Sequence, residues 1–231
     1  PLAWPIEFSM DNFTQALEKM KFFMSLTNSV IITVFSVGAL IIVSSMLAYY
    51  LQRSKNKFTK TTFLILVASM IVPFQALMIP FIGIWSKFVS LNNQAALILF
   101  YQGFGVALST FLYHGFISKI PTEIDEAASV DGANDFTIFW RIIFPMLRPI
   151  TATVAIVNSL WIWNDFLLPL IVLSRNEFFT LQLALNSFQG ELNTQWHYLL
   201  AMTVITLLPI TLVFAFLQRY ITTGIASAGV K

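Results

Sequence analysis

Four polar and aromatic residues between positions 158 and 165 carry side chains of the kinds that bind sugars: Asn158, Trp161, Asn164 and Asp165. Because Asn158, Trp161 and Asp165 are three and four residues apart, one face of a helix would carry all three. An aromatic ring can lie against the apolar face of a sugar, while amide and carboxylate groups bond its hydroxyls. We therefore expect a substrate path at these four residues.

The apolar surroundings of these residues limit where the carboxylate of Asp165 can lie. A charge near the centre of a bilayer costs at least about 2.5 kcal/mol, so Asp165 should face a cavity or a partner. In another apolar segment Gln75 lies between Pro73 and Pro80, and prolines are tolerated there where a cavity supplies hydrogen-bond partners. We add Gln75 to the expected path. Other interpretations stay open: a packing kink at the prolines, interface-anchoring tryptophans, or Asp165 as a cap or interhelical bond.

A second pattern is a Glu-Ala-Ala triplet followed at fixed spacing by glycine, isoleucine and proline: Glu126, Ala127, Ala128, Gly132, Ile142 and Pro145. Pro121 suits the first turn of a helix, and Glu123, Asp125 and Glu126 would place negative charge at its positive end. The small alanines let a partner surface approach closely. The pattern predicts a short helix that offers acidic and small residues to another protein, with an ordinary solvated loop as the alternative.

The residues after this triplet predict a turn and a second short helix. Gly132 permits a backbone conformation that is closed to bulkier residues. Asn134 or Asp135 can cap the next helix, which we expect to stop near Pro145.

The chemistry of an enzyme is not apparent elsewhere in the chain. There is no cysteine, so disulfides and thiolate metal sites are excluded. His114 and His197 have no metal-ligand spacing to nearby carboxylates, and no Gly-Lys-Ser/Thr phosphate-binding motif occurs. The formal net charge of +2, without a basic cluster, does not indicate nucleic-acid binding. We therefore expect no metal, no nucleic acid and no catalytic residues.

Composition places these patterns in a membrane protein. Apolar residues make up 57% of the 231 residues and charged residues 10%, whereas soluble domains carry about 25% charge. A helix needs roughly 20 apolar residues to cross a bilayer. Five segments meet this requirement and predict an all-α, polytopic protein: Ser25 to Leu51, Thr61 to Trp85, Ala95 to Ile117, Pro149 to Leu173, and Tyr198 to Phe216.

The distribution of lysine and arginine predicts the orientation of these spans. If the Glu-Ala-Ala loop, about 117–148, is cytoplasmic, the inside segments contain Arg53, Lys55, Lys57, Lys60, Lys119, Arg141, Arg148, Arg219 and Lys231. The outside segments contain only Lys19, Lys21, Lys87 and Arg175. This agrees with the tendency of positive loops to stay inside. The beginning of the chain would then be outside and its end cytoplasmic, and we expect a sixth helix before Pro1.

The first 24 residues are predicted to be an extracellular connector to a single transmembrane domain over 25–231. Within the connector, Asp11 can cap a short helix. Phe13, Leu17 and Met20 would share one face of that helix, suited to lying on the bilayer surface.

The spacing of the Glu-Ala-Ala pattern resembles the cytoplasmic loop of membrane subunits in bacterial ABC importers. Phe144 stands where leucine is common, a conservative change. The segment Trp163-Asn164-Asp165-Phe166, an external loop at about 174–197 and the ending from Gln218 to Lys231 make the chain similar to carbohydrate permeases of the maltose type, specifically the smaller membrane subunit. The resemblance covers the chain from about Phe8 onward.

This resemblance implies a type I permease fold, half of a translocation pore, and location in the bacterial plasma membrane. It implies partners: a second permease, two cytoplasmic ATPases that hold ATP and Mg, a sugar-binding protein outside, the sugar and membrane lipid. No cofactor is expected in this chain. An ATP-independent secondary transporter or channel is the main alternative, although it gives no reason for the Glu-Ala-Ala loop, and a membrane scaffold with no conducting role is a third.

The resemblance also assigns roles to residues. Coupling to the ATPase falls to Glu126, Ala127, Ala128, Gly132 and Pro145. Contact with the sugar-binding protein falls to Gln189, Gly190, Glu191, Leu192 and Asn193. Contact of the tail with the ATPases falls to Gly224, Gly229 and Lys231.

Overall fold

The computed structural model describes residues 10–54, 56–187 and 196–229, and within these it describes no side chain at 187, 196, 213, 214 and 216–229. This part of the chain is helical and contains no strand. In chain order the helices are α1 (Asp11–Lys19), α2 (Phe22–Arg53), α3 (Lys57–Ser69), α4 (Phe74–Trp85), α5 (Gln94–Ile117), α6 (Glu123–Val130), α7 (Asp135–Ile138), a π-turn (Phe139–Ile143), α8 (Phe144–Met146), α9 (Arg148–Asn164), α10 (Leu167–Val172), a 3₁₀ turn (Asn176–Phe178), α11 (Leu181–Ser187) and α12 (Trp196–Gly229). The predicted all-α fold is confirmed.

Helices α2 and α5 form the centre of the molecule and pack closely through small residues. A Cβ atom added at Gly105 of α5 would lie 2.7 Å from the end of the Leu40 side chain on α2. Ser109 and Thr110 of α5 are fully buried, as expected where helices approach closely in a membrane. Helix α9 packs against both, and the Tyr113 hydroxyl donates to Thr151 at 3.0 Å.

Two of the predicted spans are unbroken. Within the described residues, α2 and α5 are long and apolar enough to cross a membrane. Helix α2 has 32 residues, or about 48 Å at 1.5 Å per residue, so its ends extend beyond a hydrocarbon core of about 30 Å.

The second predicted span is not one helix. Helices α3 and α4 meet at an angle of 107°, and the break falls between Ser69 and Pro73. Pro73 has no N–H to donate to the carbonyl of Ser69, four residues earlier, and its ring would collide with that carbonyl in a continuous helix. Proline therefore divides the segment predicted as one span from Thr61 to Trp85, in which a packing kink at the prolines was left open.

The fourth predicted span also breaks, so the prediction of a continuous helix to Leu173 is wrong. Helix α9 ends at Asn164, and Asp165 has an extended backbone (φ −72°, ψ 131°). Pro169 is four residues after Asp165 and excludes a helical bond to the Asp165 carbonyl. Helix α10 then begins at Leu167, whose N–H donates to Asp165 Oδ1 at 3.1 Å.

The apolar face of α1 packs against the protein, so the prediction that it lies on the bilayer surface is wrong. Ala16 and Met20 are buried in a cluster with Trp163 and Met202, and Phe13 and Leu17 pack against the same cluster. Asp11 is the first residue of the helix, and Met10 takes the capping position that was predicted for Asp11.

The final helix is longer than the predicted fifth span. Helix α12 runs from Trp196 to Gly229, whereas the prediction ended at Phe216. Within its described side chains, His197–Leu212 forms a shorter apolar stretch. The crossing of the membrane by this segment stays a prediction.

Candidate functional site

Helix α6 contains the Glu-Ala-Ala triplet and turns the first two of its members outward. Glu126 and Ala127 are exposed. Ala128 is partly buried and packs, together with Ile124, against an apolar cluster that includes Phe139. The helix therefore has one face fixed to the protein and one face open. Pro121 lies before the helix, which begins at Glu123 after Thr122, so the prediction of Pro121 in its first turn is wrong.

Asp125 points to the inward face of α6, where it meets the end of α2. Its carboxylate lies 2.8 Å from Arg53 Nη2, and both side chains are 16% exposed. The Tyr49 hydroxyl donates to the other carboxylate oxygen at 2.5 Å. Arg53 also donates to the Ile120 carbonyl at 3.2 Å. Sequence reasoning missed this network, because it read Asp125 only as a charge at the start of a helix.

Gly132 forms the turn after α6, as predicted. Its φ of +84° lies in the left-handed region, which glycine enters without steric cost. The N–H of Ala133 donates to the Ala128 carbonyl at 3.0 Å, which closes the end of α6. Asn134 then caps α7, because its side chain accepts from the Thr137 N–H at 2.8 Å. Of the two predicted caps, Asn134 is the one used.

Pro145 lies inside the second short helix, close to its end. A π-turn precedes it at Phe139–Ile143, and the helix ends at Met146, one residue beyond Pro145. Leu147 is fully buried at the joint with α9, where the chain bends by 76°. The loop is thus joined to α9 through one packed residue.

A cavity of about 500 Å³ lies between α4, α5 and the break after α9. Gln75, Trp161 and Asp165 line it together with apolar side chains. The Tyr101 hydroxyl donates to Asp165 Oδ2 at 2.9 Å, and the Tyr101 and Trp161 rings meet edge to face at 5.5 Å. Tyr101 is buried and is not among the cavity residues, but it is a partner of Asp165 that sequence reasoning missed. Three of the predicted path residues are therefore together in one cavity.

The other two predicted path residues have different surroundings. Asn158 is buried and donates to Ser109 Oγ at 3.0 Å and to the Val154 carbonyl at 2.8 Å. Asn164 donates to the Leu160 carbonyl at 2.8 Å and is not among the cavity residues. The predicted common face of Asn158, Trp161 and Asp165 is wrong, because the helix ends before Asp165.

The remaining predicted contacts fall at or beyond the limits of the described structure. Gln189, Gly190, Glu191, Leu192 and Asn193 lie outside the described residues, and so does Lys231. Gly224 and Gly229 belong to the backbone of α12.

Residues 40–227 match the family described as "Binding-protein-dependent transport system inner membrane component". The chain belongs to this family. It is therefore a multi-pass membrane protein and a transport permease. Membership agrees with the position of the Glu-Ala-Ala loop between apolar helices.

This chain is similar over nearly its whole length to named sugar-transport permeases. It is 39% identical over 230 residues to the "Probable starch degradation products transport system permease protein AmyC" of Thermoanaerobacterium thermosulfurigenes, covering 100% of this chain and 84% of that protein. It is 37% identical over 229 residues to the "Melibiose/raffinose/stachyose import permease protein MelC" of Bacillus subtilis, covering 99% and 83%.

Solved structures of ABC importers have the same fold. A bacterial ABC transporter involved in the import of the acidic polysaccharide alginate gives a TM-score of 0.82 at 23% identity, covering 94% of this chain and 81% of that chain. The methionine transporter MetNI gives 0.65 at 16% identity, covering 94% and 99%. The predicted ABC importer permease fold is confirmed.

Proposed function

We propose that this permease is one membrane subunit of a binding-protein-dependent ABC importer of sugars and forms half of its translocation pore. The observation that carries the proposal is the similarity, at 36–39% identity, to three permeases named for starch products, for melibiose, raffinose and stachyose, and for multiple sugars. A second homologous permease, two ATPases and an external sugar-binding protein complete the proposed complex. ATP and Mg belong to the ATPases, and the subunit itself transmits movement.

The open face of α6 is the proposed docking surface for an ATPase. Glu126 and Ala127 are exposed there, so a cleft on a partner can reach both. Ala128 and the turn at Gly132 hold this face in position from behind. Movement of the docked helix would pass through α7, α8 and Pro145 into α9. This arrangement supports the assigned coupling roles.

Two further contacts are proposed on the family resemblance alone. The segment from Gln189 to Asn193 would meet the sugar-binding protein outside. Gly224, Gly229 and Lys231 would meet the ATPases on the cytoplasmic side. The orientation with the beginning of the chain outside belongs to the same proposal.

The cavity at Asp165 is the proposed sugar path of this subunit. Trp161 supplies an aromatic surface, and Gln75 and Asp165 supply groups that bond hydroxyls. We now restrict the path to these three residues, because Asn158 is used in packing between helices and Asn164 lies outside the cavity.

Replacing Asp165 tests the path. A hydrogen bond to a charged group contributes about 1.5–3 kcal/mol, so Asp165→Ala should raise the KM for sugar uptake about tenfold or more. The amount of assembled complex in the membrane should stay unchanged. Asn164→Ala is the matched control and should keep the KM of the wild type. Unchanged uptake by Asp165→Ala would remove this residue from the path.

The proposed function as a whole is tested by purifying the permease with its partners in lipid nanodiscs. ATP hydrolysis is measured with the binding protein and a panel of mono-, di- and oligosaccharides. One or more sugars should stimulate hydrolysis, and an Ala127→Cys variant should crosslink to the ATPase. Sugar uptake that continues without any ATPase would instead favour an ATP-independent transporter or channel.

A further inference from the structure

An ion pair between Asp125 and Arg53 connects α6 to the end of α2. The two charged groups are 2.8 Å apart, and Tyr49, one turn before Arg53 on α2, donates to the same carboxylate. Arg53 also donates to the Ile120 carbonyl, in the link between α5 and α6. One side chain at the end of α2 thus holds both α6 and the segment that leads into it.

The position of these residues separates them from the docking face. Asp125 is directly before Glu126 in the chain, but its side chain is only 16% exposed, whereas Glu126 is exposed. An ATPase that docks on the open face of α6 would therefore leave the ion pair intact. The pair is available to link α6 to α2 while α6 is bound.

The ion pair is also shielded more than an ordinary surface pair. Charges that are partly removed from water attract each other more strongly and are screened less by salt than exposed ones. Removal of one partner leaves the other charge without compensation in a partly buried place. By comparison, the pair of Arg175 and Glu177 is 68% and 55% exposed. The network at Asp125 therefore suits a fixed joint better than a passing surface contact.

We propose that Arg53, Tyr49 and Asp125 are positioning residues that make α6 and the end of α2 move as one unit. Movement of the ATPases would then reach the membrane along two routes, through α7 and α8 into α9 and through the ion pair into α2. This inference rests on the proposed function, in which α6 is the docking helix.

The joint is tested by distances between spin labels on α2 and α6. Because the chain has no cysteine, cysteines at the exposed positions Tyr50 and Val130 can be labelled without background in a complex with cysteine-free ATPases. Double electron–electron resonance then gives the distance between the two labels in the nucleotide-free complex and in the complex with trapped ATP. In the wild type this distance should stay the same. In Arg53→Ala and Asp125→Asn it should broaden or shift when ATP is trapped.

The functional measurement is the ratio of sugar transported to ATP hydrolysed by the reconstituted complex. Arg53→Ala and Asp125→Asn should lower this ratio at least tenfold, while the copurified ATPase stays at the wild-type amount. The exchanged pair Arg53→Asp with Asp125→Arg should recover part of the ratio, which a merely lost charge would not explain. Lys119→Ala, which removes an exposed positive charge from the same loop, should behave like the wild type.

Tyr49→Phe keeps the ion pair and removes only the tyrosine hydroxyl, so it tests the joint even if the charge variants fail to insert into the membrane. It should lower the transport ratio by about two- to threefold, and a wild-type ratio would count against the joint. A label distance that changes with ATP in the wild type, or that is identical in wild type and Arg53→Ala, would overturn the proposal. The distance measurement needs ATP but no sugar. Failure of the wild type to transport any sugar would therefore refute the proposed substrate, whereas the label distances would still decide whether α2 and α6 move as one unit.

Discussion

The backbone at Gly132 has a φ of +84°, and a residue with a side chain pays about 1–2 kcal/mol to adopt the left-handed region. β-Branched residues are the least tolerant of it, whereas asparagine enters it more readily. Because no atom beyond the neighbouring residues in the chain lies within 4 Å of a Cβ built at this position, the backbone conformation sets the penalty. The turn that connects α6 to α7 adopts this conformation, so a residue that resists it would strain the connection between the two helices.

Gly132→Val should therefore lower the stimulation of ATP hydrolysis by sugar at least fivefold, because α6 would turn away from its docking position. Gly132→Asn should retain most of the stimulation. Both variants are measured in the reconstituted complex, with the amount of permease in the membrane determined alongside. Equal stimulation in the valine and asparagine variants would show that the left-handed turn is not required for coupling.

Local chemistry predicted some side-chain roles and not others. The Gly132 turn and a cap at Asn134 or Asp135 depend on neighbouring residues, so the sequence indicated both, and the structure selects Asn134 as the cap. Asp125 pairs with residues far away, since Tyr49 is 76 positions earlier. Only the packing of α2 against the loop brings these groups together, so the residues next to Asp125 in the sequence could not predict the contact.

Two of the predicted spans break where a proline stands four residues after the last possible acceptor, although α4 and α12 contain Pro80 and Pro209 without a break. This relation holds for Ser69 and Pro73 and for Asp165 and Pro169, and both prolines are visible in the sequence. The sequence prediction set the ends of the spans by the length of the apolar segments, and each of these two segments continues beyond its break. A packing kink at the prolines was left open from the sequence, but prolines alone do not locate the cavity at both breaks, because Pro80 and Pro209 interrupt no helix.

Close packing of α2 on α5 gives a prediction about stability. Gly105→Val would place atoms against Leu40, where even a Cβ is only 2.7 Å away, and overpacking costs about 1–3 kcal/mol. The Tm of the purified permease in detergent should fall. Leu40→Ala in the same chain should restore part of the loss by making room. The control is Gly115→Ala, where nothing lies within 4 Å of the added Cβ.

A Tm for Gly105→Val equal to that of the wild type would contradict this account of the packing. So would an equal fall in Gly115→Ala, since both variants add a side chain to the same helix.

The complete permease can be tested for its orientation in the membrane with single cysteines. Asn176→Cys, in the exposed 3₁₀ turn after α10, should react with an impermeant maleimide on intact cells. Val130→Cys, which is 88% exposed at the end of α6, should react only after the cells are permeabilised. Labelling in the opposite order would reverse the proposed topology.

The general architecture of the chain was predictable because it depends on properties summed over long segments. Apolar content and the Glu-Ala-Ala spacing were sufficient for a helical importer permease, and the match over residues 40–227 confirms that family. The position of α1 was not predictable in the same way. A face with Phe13 and Leu17 is equally suited to lipid or to protein, and only the cluster around Trp163 and Met202 decides between them.

The angle of 107° between α3 and α4 has a consequence for how a passage beside them can open. A straight rod that spans the membrane tilts as a whole, so displacement at one surface displaces the other. Two segments joined by the short link from Met70 to Pro73 can tilt separately. Residues of both segments line the cavity, so separate tilting would change its width on either side of the break at different times, which is the geometric condition for a solute to enter from one side while the other stays sealed.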